Sequence, residues 1–541
     1  MEHRLHNPII PGFYPDPSIC RVGEDFYLVC SSFELCPGIP LFHSRDLEHW
    51  EQLCNVMTPE NGFHVEKNCF NGGVMAPTIR YHNGTFYIIN CNFSDRGNFI
   101  VTAKDPAGPW SAPHWLDDVP GIDASIFFDN DGRCIMMGTA NIWPGENGGL
   151  RQGIWAGEYD IENFRMAGEP VPLWGGAMAG VASPEAPHIY HIGSYYYLLI
   201  AEGGTEQYHS ATIARSESVF GPYEGCRANP ILTMRHMGQR AAIQNAGHAD
   251  LVDLPDGSWY AVFLASRLIG GESKNLGRET FICPVRWELD WPLFTPDTGR
   301  VEWEYDFPAT LPWTETPARP AREYFRGEGL PLDWCFWGKP YEKFWSTGAD
   351  GLTLRCLPQA LADPLQPMSM EFTHSEENFA AFAAHRRLQP DCRFAAKMRF
   401  SPEGQESAGI AVVQAMNHQY HLELAQENGE KCVRLLRYTA DYALPPYIPG
   451  FSAETKREVL RSASWKDEEI ALEIEMHGND YIFRFGADEG KLTELARADG
   501  AAVNPEKVGC MTGEVLGLFA SGNGARSENC ARFAWAEYQD L

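Results

Sequence analysis

The sequence lacks the features of a membrane, nucleic-acid-binding or zinc-dependent protein. Its apolar runs fall well short of the roughly 20 residues with which a helix crosses a bilayer, and the first residues contain no apolar signal core. Positive charge is scarce, since 43 Lys and Arg stand against 72 Asp and Glu, for a net charge of −29. Because nucleic acids are bound through a basic surface, no nucleic-acid partner is expected, and no membrane partner either.

The cysteines are numerous but form no recognisable motif. Fifteen are present, and the two closest in sequence are Cys30 and Cys36, so the C-x-x-C spacing of zinc and redox sites is absent. We therefore predict reduced, mostly buried thiols in a cytoplasmic protein. The G-x-x-x-x-G-K-[ST] and H-E-x-x-H motifs are also absent, which disfavours nucleotide and zinc-protease chemistry.

The sequence does contain a repeat. Five similar segments follow one another in roughly the first 300 residues, at a spacing of roughly 50 to 60 residues. They begin at Asp16, Ala76, Asp123, Glu185 and His248. Each reads as a short strand, a hairpin turn with Gly or Asp, a second apolar and aromatic strand, and one or two further strands. These units predict an all-β fold in which residues 1–305 form a five-bladed β-propeller.

The first residue of each repeat is of special interest, because the first strand of a propeller blade lines the central channel. Three carboxylates and a histidine among these positions are therefore expected to point into one funnel. Unpartnered buried carboxylates are costly, so their convergence predicts a functional site, although each one alone would pass for a turn residue. Asp16 also lies between Pro15 and Pro17, which restrict its backbone and predict extended geometry.

The last two fifths of the chain have a different texture. Residues 306–322 are rich in proline and predict an extended linker. Residues 323–541 alternate apolar and polar side chains between Gly and Asn turns, which predicts an antiparallel β-sandwich without a catalytic set of carboxylates. No helix longer than a turn or two is expected. The aromatic side chains of Trp334, Phe336 and Trp337 suit either an interface with the propeller or the core of the sandwich itself.

Six segments, in this order and spacing, resemble glycoside hydrolase family 43. The segments are N-P-I-I-P-G-F-Y-P-D-P-S-I at 7–19, S-S-F-E-L-C-P-G-I-P-L-F-H-S-R-D-L at 31–47, G-G-V-M-A-P-T-I-R-Y-H-N-G-T-F-Y at 72–87, G-I-D-A-S-I-F-F-D at 121–129, S-P-E-A-P-H-I-Y at 183–190, and G-H-A-D-L-V-D at 247–253 with L-G-R-E-T-F at 276–281. The resemblance covers nearly the whole chain and looks closest to two-domain β-xylosidases and α-L-arabinofuranosidases. It implies a five-bladed propeller followed by a concanavalin A-like sandwich.

The resemblance also implies a role for each carboxylate. Asp16 matches the general base, Glu185 the general acid, and Asp123 the residue that raises the pKa of the acid. This division suits a glycosidase, which needs one carboxyl group ionised and one protonated. The family inverts the anomeric carbon, so a separation of roughly 6.5–9.5 Å between base and acid is expected.

Substrate contacts are implied with less specificity. The matching positions are Phe33, Met75, Thr205, His248 and Arg278. Phe33 matches an aromatic wall of the sugar pocket, Arg278 an arginine that meets sugar hydroxyls or the acid, and Thr205 an added contact. Each of these also has an ordinary structural explanation in the core, a salt bridge or a loop. At Met75 many relatives carry an aromatic side chain, which puts a stacking platform and the identity of the sugar in doubt.

Three functions remain open from the sequence. The first is an exo-acting inverting hydrolase that releases terminal D-xylose from β-1,4-xylooligosaccharides. The second is an α-L-arabinofuranosidase, alone or bifunctional, acting on arabinoxylan-derived oligosaccharides. The third is a non-catalytic carbohydrate-binding propeller. No cofactor is required by these chemistries, but the resemblance leaves open a calcium ion in the channel near His248, and the sequence leaves open a homo-oligomer.

Overall fold

A computed structural model shows a protein built almost entirely of β-strands. The structure describes residues 3–62, 72–93, 96–145, 148–178, 180–315, 320–338, 343–362, 380–441, 454–508 and 511–541. Helical turns in these ranges are Pro59–Asn61, Arg235–Met237, Glu489–Lys491, Gly500–Val503 and Pro505–Val508. None of the described helices has the length and apolar character needed to cross a membrane. The all-β expectation is confirmed.

The first part of the chain forms five antiparallel sheets arranged as the blades of a propeller. From the channel outward, blade 1 consists of Ser18–Val22, Asp25–Val29, Gly38–Ser44 and Glu51–Met57, and blade 2 of Val74–His82, Thr85–Asn92, Gly97–Ala103 and His114–Trp115. Blade 3 consists of Ile122–Phe128, Cys134–Pro144, Leu150–Asp160 and Arg165–Met166, with Val171–Trp174 added. Blade 4 consists of Glu185–Ile192, Tyr195–Glu202, Ser210–Ser216 and Glu224–Gly225, and blade 5 of Ile243–Asp253, Trp259–Arg267, Glu279–Glu288 and Trp291–Phe294. The predicted five-bladed propeller is therefore confirmed.

The innermost strand of a blade is interrupted at the channel by a residue with a left-handed backbone. The φ angle is 52° at Asp123, 50° at Ala186 and 52° at His248. At the same points a β-bulge shifts the register of pairing with the neighbouring strand. The fourth repeat therefore begins at Ala186, where A-P-H-I matches the D-P-S-I of Asp16. The prediction that Glu185 is equivalent to Asp16 was wrong by one residue, because the bulge places Glu185 one position ahead of the left-handed residue.

Asp16 differs from its predicted backbone as well. Its φ is 54°, which is left-handed and not the extended geometry that Pro17 favours. Asp is among the non-glycine residues that tolerate this region best. Ser31 stabilises this turn with two hydrogen bonds. Its N–H donates to Pro15 O at 3.0 Å, and its hydroxyl donates to the Asp16 carboxylate at 2.6 Å.

The ring is closed between blades 1 and 5 by the segment that precedes blade 1. The strand Arg4–His6 pairs with Glu304–Asp306, just after blade 5. Asn7 Oδ1 then accepts a hydrogen bond from the Ile282 N–H at 2.8 Å. The predicted linker begins here, and within it Thr314 N donates to Asp46 of blade 1 at 2.9 Å. The exact domain boundaries at 305 and 322 stay predictions.

Two sheets form the second domain. The first has the order Thr455–Ser464, Glu430–Ala440, His418–Glu427, Ser407–Ala415, Val515–Ser521, Ala381–Arg386, Trp334–Trp337 and Leu35–Cys36; the second has Trp345–Gly348, Gly351–Arg355, Cys530–Asp540, Asp391–Arg399, Glu469–His477, Asp480–Gly486 and Leu492–Asp499, with Arg322–Glu323 paired to Cys530–Asp540. Fully buried side chains such as Phe394, Tyr420 and Phe483 fill the space between them. This is the predicted sandwich.

The two domains share a sheet and an apolar cluster. The strand Leu35–Cys36 belongs to the first blade's segment but pairs with Trp334–Trp337 at the edge of the sandwich. Beside it, Phe13 and Phe33 of the propeller pack in one buried cluster with Phe382 of the sandwich. Burying each such side chain stabilises the folded chain by about 1.5–3 kcal/mol relative to leaving it exposed. The interface is therefore packed like a hydrophobic core.

The aromatic side chains singled out in the sequence divide between the two explanations. Trp334 and Phe336 belong to the internal core of the sandwich. Trp337 is half-buried and packs against the cluster between the domains. The expectation of an interface therefore holds for Trp337, whereas the other two side chains are core.

A chain that ends at Arg322 should be insoluble. Its loss of the sandwich would expose Phe13 and Phe33 and leave the edge of Leu35–Cys36 without its partner strand, and such exposed apolar edges promote aggregation. The soluble fraction after expression and the thermal unfolding transition measure this. A soluble monomer of residues 1–322 that unfolds cooperatively would contradict it.

Candidate active site

Three carboxyl groups meet at the channel. Asp16 precedes the innermost strand of blade 1, Asp123 is the second residue of that strand in blade 3, and Glu185 is the first in blade 4. Asp16 and Asp123 are only 4% and 8% exposed. The charges of Asp16 and Glu185 act on Asp123, and the charge of Asp16 acts on Glu185. The ring thus brings together groups that are far apart in sequence.

Asp16 is held as a carboxylate. Arg278 Nη1 donates to Asp16 Oδ1 at 3.0 Å, and Ser31 Oγ donates to Oδ2 at 2.6 Å. His248 Nδ1 lies 3.8 Å from Oδ1. Burial by itself would raise the pKa of Asp16, but these neighbours, with Arg278 the strongest, hold that pKa below its ordinary value. Asp16 is therefore ready to accept a proton.

Glu185 and Asp123 are shifted in the opposite direction. Burial raises the pKa of Glu185 and the charge of Asp16 adds to the rise, against a hydrogen bond of 3.0 Å from Gln152 Nε2. Burial also raises the pKa of Asp123 well above its ordinary value, and the charges of Glu185 and Asp16 add to this. Because two neighbouring buried carboxyls do not both ionise easily, the pair keeps a proton to a higher pH than Asp16 does.

Arg278 stands at the centre of the polar contacts. It is 7% exposed, and its Nη1 also donates to Thr205 Oγ1 at 2.8 Å. Its Cζ lies 5.4 Å from the centroid of the Phe33 ring. Its Nε and Nη2 atoms are buried and find no hydrogen-bond partner among the described residues. Such donors suit a polar ligand, and sugar hydroxyls are ligands of this kind.

The predicted aromatic wall is largely part of the core. Phe33 is 2% exposed and stacks on Phe13, with 5.5 Å between the ring centroids. Met75 is half-buried and packs against the same cluster between the domains. Phe33 therefore borders the site through Arg278, and both side chains help to hold the sandwich against the propeller.

The resemblance left open a calcium ion near His248. Calcium takes about six to eight oxygen ligands, and the carboxylate closest to His248, that of Asp16, is already bound by Arg278 and Ser31. Within the described ranges no cluster of three or more His, Cys, Asp or Glu could hold a metal ion. The calcium ion near His248 stays a prediction.

A buried network beneath the site was missed in the sequence. Arg80 Nη1 of blade 2 donates to Asp250 Oδ2 of blade 5 at 2.8 Å, and Ser18 Oγ of blade 1 donates to the same atom at 2.6 Å. His188 Nδ1 of blade 4 lies 2.9 Å from Arg80 Nη2. The signal was present in the repeats, since the third residue of D-P-S-I, A-P-H-I and H-A-D-L is polar within an otherwise apolar strand.

Two neighbours of the carboxylates were also missed. Ser31 follows the second strand of blade 1, and Gln152 lies in the third strand of blade 3. The S-S of S-S-F-E, directly after an apolar strand, could have drawn attention to Ser31. Nothing in the sequence around Gln152 marks it, because its contact with Glu185 depends on how blades 3 and 4 pack.

A propeller that holds in its channel one ionised carboxyl and a coupled pair of carboxyls that keeps a proton has the make-up of a glycoside hydrolase. Comparison with known families agrees. The model of Glycosyl hydrolases family 43 matches residues 5–292, and the model of the Beta xylosidase C-terminal Concanavalin A-like domain matches residues 322–539. The chain belongs to glycosyl hydrolase family 43 and has the two-domain organisation of its xylosidases and arabinofuranosidases.

Full-length relatives support this membership. A protein named xylosidase/arabinosidase from Butyrivibrio fibrisolvens is 38% identical, with 99% of each chain covered. A non-reducing end alpha-L-arabinofuranosidase from Bacteroides ovatus is 37% identical, with 100% of this chain and 96% of the relative covered. The crystal structure of a xylan beta-1,4-xylosidase from Bacillus halodurans superposes with a TM-score of 0.88 at 29% identity, over 99% of this chain and 100% of that one.

Substitution of Asp16 or Glu185 by Ala should keep the fold and lower turnover of a glycoside by about 10²–10⁴-fold, because acid–base groups typically contribute that much. Glu185→Ala should lose less on a p-nitrophenyl glycoside than on a disaccharide, since a good leaving group needs less protonation. Steady-state kinetics on both substrates measure this. Wild-type rates on the disaccharide in either variant would show that the roles are misassigned.

Asp123→Asn should move the alkaline limb of the kcat/KM profile to lower pH. That limb reports the acid of the free enzyme, and removing one of two interacting carboxyls lowers the pKa of the one that remains. A pH series on a p-nitrophenyl substrate measures the shift. Reduced activity with an unmoved limb would leave Asp123 a purely positional role.

Proposed function

We propose that the protein is an exo-acting, inverting glycoside hydrolase that releases terminal D-xylose from β-1,4-xylooligosaccharides. The observation that carries the proposal is the contrast between Asp16, held ionised by Arg278, and Glu185, held towards the protonated form by burial. A glycosidase needs these two states in one site. The cytoplasmic location and any assembly into a homo-oligomer stay predictions.

In the proposed reaction the two carboxyls act on opposite faces of the sugar. Asp16 takes a proton from a water molecule as its oxygen bonds to the anomeric carbon. Glu185 gives its proton to the oxygen of the leaving sugar as the glycosidic bond breaks. Asp123 keeps the proton on Glu185 until then. The released sugar has the anomeric configuration opposite to that in the substrate.

The exo mode is supported by the sandwich. An enzyme that removes terminal sugars needs a wall behind the last sugar, whereas an open funnel could take internal segments of a chain. Beside Arg278 and Thr205 lies a pocket whose other side is lined by Met511 and Thr512 of the sandwich. A terminal sugar bound by Arg278 and Thr205 would end against the second domain, which supports the exo mode.

The second candidate is an α-L-arabinofuranosidase, alone or beside the first activity. It is favoured by the Bacteroides ovatus relative of that name, which matches along the whole chain. Xylose and arabinofuranose present similar hydroxyl arrays to a small pocket. Met75 in place of an aromatic side chain leaves the choice between them to experiment.

Hydrolysis of p-nitrophenyl β-D-xyloside, p-nitrophenyl α-L-arabinofuranoside and xylobiose should distinguish the candidates. We expect cleavage of the xyloside and of xylobiose, and proton NMR at early times should show an inverted first product. Asp16→Ala serves as the control for contaminating activity. Cleavage of the arabinofuranoside alone would favour the second candidate, and a retained product would make Asp16 a nucleophile.

A further inference from the structure

The loop of residues 268–278, which ends in Arg278, is closed at its base and tied to the sandwich. It joins the second and third strands of blade 5. Arg267 Nε, before the loop, donates to Glu279 Oε2, after it, at 2.7 Å. Arg267 Nη2 also donates to Leu388 O of the sandwich at 2.6 Å. The two ends of the loop are therefore fixed relative to the second domain.

The middle of the loop is anchored by Asn275, which is fully buried. Asn275 Nδ2 lies 2.9 Å from Tyr481 OH, 3.0 Å from Gly500 O and 2.9 Å from Glu514 Oε1, all in the sandwich. The Glu514 N–H in turn donates to Asn275 O at 2.7 Å. Both the side chain and the backbone of Asn275 are thus bound by the second domain.

Glu514 is itself held from behind. Arg387 Nη1 donates to Glu514 Oε2 at 2.6 Å, and Tyr481 OH donates to Glu514 Oε1 at 2.7 Å. All three side chains are 0% exposed. A buried charge pair of this kind is rigid, because each group would be left unsatisfied if it moved.

The sandwich also touches the backbone on both sides of the Arg278–Asp16 contact. Next to Arg278, a Cβ at Gly277 would lie 2.7 Å from Thr512 O. In the segment that leads to Asp16, a Cβ at Gly12 would lie 2.8 Å from Arg387 O. Only glycine allows approaches this close. The backbone segments that lead to the cation and to the carboxylate therefore both lie in close contact with the second domain.

We propose that the network of Asn275, Glu514 and Arg387 positions Arg278 on Asp16, so that the sandwich holds the cation against the base. The inference rests on the proposed function, in which Asp16 is the base. Asn275 acts as a positioning residue, since it lies in the loop three residues from Arg278 and is bound by the sandwich. Nothing in the carboxylate motifs of the propeller marks it.

Other titratable groups also interact electrostatically with Asp16. They are His248, His209, Cys30, Asp123 and Glu185. Burial lowers the pKa of His248 and lowers that of His209 to about 3, while burial raises that of Cys30 to about 12, so these three are neutral near pH 7. Arg278, whose Nη1 donates to Asp16 Oδ1 at 3.0 Å, has the largest effect among the neighbours that lower the pKa of Asp16.

Asn275→Ala should move the acidic limb of the kcat/KM profile to higher pH. That limb reports the base, and a displaced cation lets its pKa rise; we expect a shift of up to about 1 unit, since a neighbouring opposite charge lowers a carboxyl pKa by about 1–3 units. Asn55→Ala is the matched control, because it removes one amide hydrogen bond to Leu332 O of the second domain, of 3.0 Å, away from the channel. It should leave the limb in place.

A double-mutant cycle tests the coupling without turnover. The fall in Tm caused by Asn275→Ala should be smaller in an Asp16→Asn background, where no ion pair remains to be weakened, whereas the fall caused by Asn55→Ala should be equal in both. Equal falls for Asn275→Ala would mean that the network only stabilises the fold, and would overturn the inference. If the two Tm changes differ but the protein hydrolyses no glycoside, the proposed function is wrong and this inference stands.

A milder variant covers the case in which Asn275→Ala does not fold. Asn479 of the sandwich is half-buried, and its Oδ1 accepts a hydrogen bond of 2.7 Å from Ser273 Oγ in the same loop. Asn479→Ala should move the acidic limb in the same direction by a smaller amount. An unmoved limb in this variant, together with additive Tm changes in its cycle with Asp16→Asn, would overturn the inference.

Discussion

The buried ion pair between Arg278 and Asp16 joins the ends of the propeller ring and sets the chemistry of its channel. Asp16 opens blade 1 and Arg278 precedes the third strand of blade 5, so the contact lies where the ring closes. Without this cation, burial would favour the protonated form of Asp16. The remaining carboxyls then retain a proton partly because Asp16 is charged, so one interaction establishes the difference on which acid–base chemistry depends.

Several residues at the channel have a strained backbone. Asp16, Asp123 and His248 all have φ near 50°, a conformation that costs non-glycine residues free energy and is tolerated where the surroundings enforce it. The network of Arg80, Asp250 and their neighbours lies in the same innermost strands and links blades 1, 2, 4 and 5. This network of side-chain hydrogen bonds thus fixes the innermost strands relative to one another.

The sandwich is more than an appended module. It completes a sheet with a strand from the first blade's segment, buries an apolar cluster that includes Phe33, and fixes the loop that carries Arg278 through Asn275. Its residues also line the pocket beside Thr205. The three carboxyls and Arg278 all belong to the propeller, and the sandwich binds the loop that carries Arg278.

Local patterns in the sequence were enough to predict the five blades, the sandwich and the three carboxyls, because hairpin turns and alternating side chains repeat. It misjudged the register of Glu185, since a bulge depends on pairing with the next strand. Three contacts emerge from the folded chain alone: Phe33 lies in an interface, Gln152 donates to Glu185, and Asn275 supports Arg278. Those contacts join residues from separate blades and domains, and no local pattern records which surfaces will meet when the ring closes and the sandwich docks.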